Sequence, residues 1–369
     1  MFGAFDHECM ALALQMAERG MASSDPNPRV GCVLASEGRI VATGWHRKAG
    51  GPHAEVDALT EAGSAAKGAT AYVTLEPCSY HGRTPACTEA LISAGVERVV
   101  CASKDPNPRV NGNGIARLEA HGIRVDAGLM NEQAESLNAG FFMRMRQNRP
   151  WVRIKLAQSL DGNIALGNGS SQWISSQASR EDVQAWRARS SALMTGIETV
   201  LVDDPSLNAR GEGVTRQPLR VIVDSRWRTP PTARTLTLPG DVLIAGRSDM
   251  EIPRGLQDSA AELLSIESDK ERVDLDALLE ALASREVNEL QVEGGAVLAG
   301  ALLERQLVDE LLIYQAPLIL GEGSRNSLGL GPLTDMGQRI SMQWIETTSV
   351  GSDLRLRLKP VYPARDGGH

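Results

Sequence analysis

Apolar positions along this chain switch between helical and alternating spacing, and the switches mark out its elements. A helix is predicted from Asp6, as its N-cap, to about Arg19, with Gly20 as the stop. Residues 30–35 read as a strand, and 40–45 as its partner across the Glu37-Gly38 turn. A helix from Ala54 places Val56 and Leu59 on one side, and a strand follows over 71–75. Thr84-Pro85 reads as an N-cap followed by proline at the first helical position, opening a helix that stops at Gly95. A strand over 96–102 and a helix over 114–121 continue the alternation. Strands alternating with helices indicate an α/β layer fold.

The pattern breaks near residues 146–151, where a basic, polar stretch ends in Pro150. Beyond it Val152, Ile154 and Leu156 alternate with Arg153 and Lys155, as in a strand with one polar face. Further strands are predicted over 219–224, 241–245, 289–293 and 310–316, and helices over 179–189, 274–285 and 296–305. The second half is therefore α/β again and long enough to be its own domain. The hexapeptide Asp-Pro-Asn-Pro-Arg-Val occurs at 25–30 and at 105–110, but its flanks differ, so the copies read as independent proline-stiffened turns.

Composition narrows the class. At 369 residues the chain exceeds one typical domain core. It has 42% hydrophobic and 23% charged residues, ordinary for a globular protein, and no apolar run approaches the ~18 residues of a membrane span. Residues 1–6 lack the basic region and long apolar stretch of a secretory signal. Five cysteines, an odd number in a large chain, argue for a reducing compartment. A cytoplasmic enzyme is the expectation. A formal net charge of -8 and 4% aromatic residues speak against a broad strand-binding face, and so against a nucleic-acid-editing protein.

The chemistry is concentrated in His53, Glu55, Cys78 and Cys87. One imidazole and two thiolates form a three-ligand set for one Zn2+, leaving the fourth tetrahedral position to water. Glu55 lies where it can move protons between that water and a substrate without ligating the metal. Any one of these residues alone would read as core. The four in this order, with Pro52 and Pro77, read as an open catalytic site. A closed structural site would want a fourth ligand, for which His81 is the nearby candidate. Cys9, Cys32 and Cys101 read as packing residues. In the second half, Glu293-Gly294-Gly295-Ala296 joins a strand to a helix and offers bare backbone N–H groups to a phosphate, and no Gly-x-Gly-x-x-Gly follows a strand.

His53-Ala54-Glu55, residues 74–78 (Thr-Leu-Glu-Pro-Cys) and residues 82–87 (Gly-Arg-Thr-Pro-Ala-Cys) resemble the cytidine-deaminase-like superfamily. More closely, they resemble the deaminase half of the bifunctional riboflavin-biosynthesis deaminase/reductase family. The resemblance implies substrate contacts for Asn27 and His46, and a phosphate contact for Arg83. Tyr80, where many members have histidine, and Ala86, where a second proline is usual, depart from the family pattern.

The stretches Lys155-Leu156-Ala157 with Ser159-Leu160-Asp161-Gly162, Ser171-Gln172-Trp173-Ile174, and Thr199 with Asp203-Asp204-Pro205 resemble the reductase half. That half implies a dihydrofolate-reductase-like α/β fold and NADPH. The implied cofactor-binding positions are Ala157, Trp173, Thr199, Asp203, Ser225 and the run Gly295, Ala296, Val297, Leu298, Ala299, Gly300 and Ala301. The implied substrate positions are Ser171, Arg187, Leu207, Arg210 and Glu293, with Lys155 polarising or protonating the opened sugar.

The expected architecture is thus an N-terminal cytidine-deaminase-like α/β/α domain over 1–147, a dihydrofolate-reductase-like α/β domain over 148–362, and a disordered tail over 363–369. The expected partners are phosphoribosylaminopyrimidine substrates, with neither nucleic acid nor membrane, in a homo-oligomer (dimer or tetramer).

Overall fold

The computed structural model describes residues 2–80, 85–268 and 271–362. Two compact units divide the chain, Met1–Arg149 and Pro150–His369. The stretch 363–369, expected to be a disordered tail, lies outside the described residues.

The first unit runs α1 (Ala4–Glu18), β1 (Gly31–Ser36), β2 (Arg39–Trp45), α2 (Ala54–Ala62), β3 (Thr70–Leu75), α3 (Cys87–Ala94), β4 (Arg98–Ser103), α4 (Asn113–Ala120), β5 (Arg124–Ala127), α5 (Asn131–Leu137) and α6 (Ala139–Gln147). Its sheet has the order β2-β1-β3-β4-β5, antiparallel on the hairpin side and parallel from β3 to β5. The hairpin closes through Glu37 and Gly38, both with positive φ (51° and 72°), a turn whose twist matches that of the strands it joins. The centre of the sheet is buried on both faces. Cys32, Leu34, Ala71 and Val73 pack with Ala54, Ala58, Leu91 and Leu118 from α2, α3 and α4. On the other face Val33, Tyr72 and Val100 meet Cys9, Met10 and Ala13 of α1 and Ala134 of α5. The unit is a three-layer α/β/α stack, as expected.

Two helix starts differ from the sequence reading. Gly3, not Asp6, caps α1; Asp6 sits in the first turn, where its Oδ2 accepts the Gly3 N–H at 2.8 Å. Its other oxygen takes Tyr72 Oη (2.8 Å) and Arg98 Nη1 (2.7 Å), so this carboxylate ties the helix to β3 and β4. The third helix opens at Cys87 with Ala86 as N-cap, two residues later than a Thr84 cap would place it, and Thr84 itself lies outside the described residues. Its stop at Gly95, in the left-handed region, is as expected.

The second unit runs β6 (Trp151–Gln158), β7 (Asn163–Ala165), α7 (Gln177–Arg189), β8 (Ala192–Gly196), α8 (Ile197–Asp203), β9 (Leu219–Val223), α9 (Arg234–Thr237), β10 (Val242–Arg247), α10 (Arg254–Gln257), β11 (Glu262–Ile266), α11 (Leu275–Ser284), β12 (Glu289–Val292), α12 (Ala296–Glu304), β13 (Glu310–Gln315), β14 (Arg325–Asn326), β15 (Ser341–Val350) and β16 (Asp353–Val361). Nine strands form one sheet in the order β11-β10-β9-β8-β12-β6-β13-β16-β15, parallel as far as β13, with an antiparallel hairpin at the end. Leu278, Leu279 and Leu282 of α11 and Leu302 and Leu303 of α12 cover one face. On the opposite face, Val183 and Trp186 of α7 pack on Leu312 and Tyr314 of β13.

The polar face of β6 is buried rather than solvated. Lying at the centre of the sheet under α7, Arg153 is only 2% exposed. It reaches Glu289 at 3.1 Å and Glu310 at 3.0 Å, and its guanidinium lies 4.6 Å from the Trp186 ring. The carboxylates that make this tolerable come from strands more than a hundred residues away, which local periodicity does not register.

Candidate active sites

In the first unit, three chain segments deliver three soft donors to one place. His53 is the N-cap of α2, Cys87 is the first residue of α3, and Cys78 follows β3 by three residues. Their ligand atoms all lie within 4.8 Å of one another, with His53 Nδ1 3.1 Å from Cys87 Sγ and 3.6 Å from Cys78 Sγ. The Cys87 N–H also points at Cys78 Sγ (3.3 Å), so the opening turn of α3 favours a thiolate there. The hydrogen bond with Cys87 brings the Cys78 thiol down to about 4, while the same bond and burial push Cys87 up. Glu55, in the first turn of α2, is 3% exposed, and burial raises its carboxyl above the ordinary range, partly offset by His53. The donor set suits zinc, a borderline-soft cation that takes imidazole and thiolate together. Among the described residues no fourth side chain joins the cluster.

The surroundings of the cluster are fixed by polar groups that the motifs only partly flagged. Asn27 Nδ2 donates to His46 Nε2 at 3.0 Å, His46 Nδ1 is 2.9 Å from the Pro52 carbonyl, and the His46 ring meets that of His53 edge-on at 5.3 Å. Asn27 and His46 therefore stand together beside the donors. Gly44 lets this happen: a methyl there would lie 2.3 Å from the Ala54 carbonyl oxygen, so only glycine allows β2 to pass under α2.

Glu76 was missed as a positioning group. Its carboxylate accepts the backbone N–H groups of Asp105, Gly112, Gly114 and Ile115 at 2.9–3.3 Å, pinning the approach to α4 against the segment that carries Cys78. Gly114 is required there, because a methyl would sit 2.0 Å from the Pro77 oxygen. Asp105 was also missed. It is 7% exposed, and burial pushes it up to about 7. The second hexapeptide copy thus places Asp105 within electrostatic reach of Cys78, as the first places Asn27 beside His46. The repeat was visible, but its spatial convergence was not. Arg83 and His81 lie outside the described residues.

In the second unit, Lys155, Arg187 and Glu293 converge. Arg187 Nε and Nη2 donate to the two Glu293 oxygens at 2.7 and 2.8 Å, and Nη1 donates to the Asn208 carbonyl at 3.0 Å. Burial alone would raise Glu293, but Arg187 and then Lys155 outweigh it and bring its pKa down to about 2. Burial lowers Lys155, partly opposed by Glu293. Ala157 lies two residues beyond Lys155 on the same face of β6, against the Tyr314 cluster.

The other expected positions divide by exposure. Trp173 is 68% exposed, with Arg180 stacked 4.5 Å from its ring, and Ser171 is half-buried just before it. Thr199 and Asp203 stand one turn apart on α8, half-buried and exposed. Arg210 is exposed, its backbone N–H held by Gln184. Leu207 is 2% exposed, its side chain packed into the fold.

The run from Gly295 divides within itself. Gly295 caps α12, Ala296 and Val297 begin it, and Leu298 packs over Gly294 and Gly196. Ala301 is half-buried further along. Ala299 and Gly300 are buried, Gly300 against the Gly329 backbone, so this part of the run turns into the core. Helical spacing explains the split, since a continuous run on a helix faces all directions.

Residues 4–103 match the family model described as the cytidine and deoxycytidylate deaminase zinc-binding region, and residues 150–356 match the RibD C-terminal domain. The riboflavin biosynthesis protein RibD of Escherichia coli K12 is 46% identical over 365 residues, covering 96% of this chain and 99% of its own. Its Haemophilus influenzae counterpart is 43% identical, with 97% and 98% covered. The chain belongs to the RibD family.

Solved RibD structures agree over the whole length. One from Acinetobacter baumannii has a TM-score of 0.91 at 42% identity, covering 97% of this chain and 99% of that one. A Thermotoga maritima protein, described as a diaminohydroxyphosphoribosylaminopyrimidine deaminase/5-amino-6-(5-phosphoribosylamino)uracil reductase, gives 0.85 at 32%, again covering 97% and 99%. With both family regions present, this is a bifunctional deaminase and reductase of riboflavin biosynthesis, with a zinc-binding deaminase domain and a reductase domain that uses NADPH.

Both departures from the RibD pattern spare the metal donors. Ala86 is the buried N-cap of α3 and contributes no side-chain bond, and Tyr80 is 38% exposed, two residues beyond Cys78. The reductase residues also suit a dinucleotide. Gly294 and Gly196 bring the ends of β12 and β8 together, and the buried Thr195 Oγ1 has no partner among the described residues. Among the described residues no helix is long and apolar enough to cross a membrane.

Proposed function

We propose that the first unit deaminates 2,5-diamino-6-(5-phosphoribosylamino)pyrimidin-4-one, and that the second reduces the ribosyl group of 5-amino-6-(5-phosphoribosylamino)uracil to ribityl. The observation that carries this reading is the convergence of His53, Cys78 and Cys87 beside a buried Glu55, in a chain that also holds the Lys155, Arg187 and Glu293 cluster.

Held by those three donors, zinc would supply an acidified water as the nucleophile. Glu55 takes up a proton at its carboxylate, hands it to the ring nitrogen, and then assists departure of ammonia. Asn27 and His46, locked to each other, orient the pyrimidine edge. Arg83 receives the substrate phosphate.

In the second unit NADPH supplies the hydride. Lys155 donates a proton to the sugar oxygen as the ring opens. Glu293 holds Arg187 in place and keeps positive charge on Lys155, and the exposed Arg210 is free to meet the phosphate. Ser171 and the Leu207 backbone complete the substrate side. Trp173, Ala157, Thr199, Asp203, Ser225 and the Gly295 turn meet the cofactor.

A crossed pair of variants tests the assignment, with ammonia release and NADPH oxidation measured separately. Cys78→Ser is expected to lose zinc and at least about 100-fold of the deaminase rate, while NADPH oxidation with the deaminated substrate persists. Lys155→Met is expected to do the reverse. Loss of both activities in either variant would refute two separate sites.

A cytoplasmic homo-oligomer fits the same reading. The edge strand β15 exposes Trp344 (64%) and Ile345 (45%), which supports self-association through the second unit. Light scattering should give at least twice the monomer mass of 39.6 kDa, and a monomer at micromolar concentration would refute it.

A further inference from the structure

Three parallel strands of the second unit lie side by side in the order β9-β8-β12, so their C-terminal ends share one edge of the sheet. Two of those ends lead through glycine into a helix, β12 through Gly294-Gly295 into α12 and β8 through Gly196 into α8. They touch, since a methyl on Gly294 would lie 3.7 Å from the Gly196 nitrogen.

The third end is different in kind. β9 runs into a turn held by its own side chains. Asp224 Oδ2 accepts the N–H and hydroxyl of Thr229 at 2.7 and 2.8 Å, and the Asp224 carbonyl accepts the Trp227 N–H at 3.2 Å. Trp227 is 1% exposed, and its indole N–H donates to the Arg247 carbonyl at 3.1 Å, anchoring the turn from below. Arg228 pairs with Glu198 in the first turn of α8, which fixes the turn beside the β8 junction.

This rigid turn leaves Arg226 exposed at its tip, and no described acidic residue pairs with it. Arg228 and Arg247 are by contrast occupied, by Glu198 and Asp249. Next to Arg226, the Ser225 hydroxyl accepts the Val273 N–H at 3.0 Å, so its own proton remains to be donated outward. One fixed hydroxyl donor beside one unpaired guanidinium is a recognition set for a phosphate monoester. It lies one strand beyond the two glycine junctions, where a dinucleotide's diphosphate can approach bare backbone.

We propose that Arg226, assisted by the Ser225 hydroxyl, receives the 2′-phosphate of the adenosine ribose and so sets the preference for NADPH over NADH. The inference rests on the reductase reading of the second unit. It adds a specificity residue that the family motifs quoted above do not include.

The test measures binding by calorimetry on the full chain, with 2′,5′-ADP and 5′-AMP as probes. The wild type should prefer 2′,5′-ADP. Arg226→Ala should cut that preference by about 10- to 100-fold, the scale of a lost charge-assisted hydrogen-bonded contact, and leave 5′-AMP affinity within about twofold. Arg226→Lys should retain part of the preference, and added salt should erode it in the wild type more than in Arg226→Ala. An unchanged thermal melt shows that the turn is intact. A preserved preference in Arg226→Ala, or equal weakening of both probes, would overturn the inference. A wild type that binds neither adenylate would overturn the reductase reading along with it.

Discussion

Glu55→Gln should lower ammonia release by about 10²–10⁴-fold while zinc content stays at one per chain and NADPH oxidation is unchanged. The substitution conserves shape at a position 3% exposed in the first turn of α2, so neither packing nor the placement of His53 is disturbed. What it removes is the ability to accept and return a proton. The three donors remain His53, Cys78 and Cys87, whose ligand atoms cluster without it. Metal analysis by mass spectrometry alongside the ammonia assay separates the two roles. Zinc lost together with activity would make Glu55 a ligand and not a proton carrier.

The second large effect concerns stability. Arg153→Met should destabilise the second unit by about 3–5 kcal/mol, because it strands buried carboxylates rather than removing a whole ion pair. Glu310 shows what is at stake. Burial pushes its carboxyl up, yet Arg153 and then Arg357 bring it down to about 2, so it is charged at neutral pH inside the fold. Arg357 stays on Glu310 (2.7 Å) and Arg189 on Glu289 (3.2 Å), which limits the loss, while the cation shared between the two carboxylates disappears. Urea unfolding followed by tryptophan fluorescence reads the change, since Trp186 lies against this cluster with Arg153 at 4.6 Å. An unfolding midpoint equal to the wild type would show that the arginine is dispensable to the core.

Much of the active chemistry was legible along the chain because it is local. A histidine two residues before a glutamate at a helix start, and a cysteine just past a strand, are short-range arrangements, and α2 and β3 present them as the spacing implies. Helix stops marked by glycine, as at Gly95, were legible for the same reason. The caps of α1 and α3 were less so. Asp6 carries the right side chain for a cap, but its carboxylate is shared with Tyr72 and Arg98, partners that only packing brings near. Glu76 and Asp105 stand inside the quoted motifs, but their positioning roles were not legible because their partners are backbone and thiol groups that only packing brings near. The edge hairpin β15–β16 also escaped, since its exposed Trp344 and Ile345 blur the alternation that marks a half-buried strand.

Local pattern along the chain specified most of its helices and strands, though not the β15–β16 hairpin, and the short motifs that carry His53, Cys78 and Cys87. Each depends on neighbours within a turn or a pleat. Tertiary structure alone decided which polar groups face one another: Asn27 with His46, Arg187 with Glu293, and Arg153 between Glu289 and Glu310. Those pairings span from 19 to 157 residues of chain. They exist because a buried charge or hydrogen-bonding group must find its partner through space, wherever the sheet order happens to bring one.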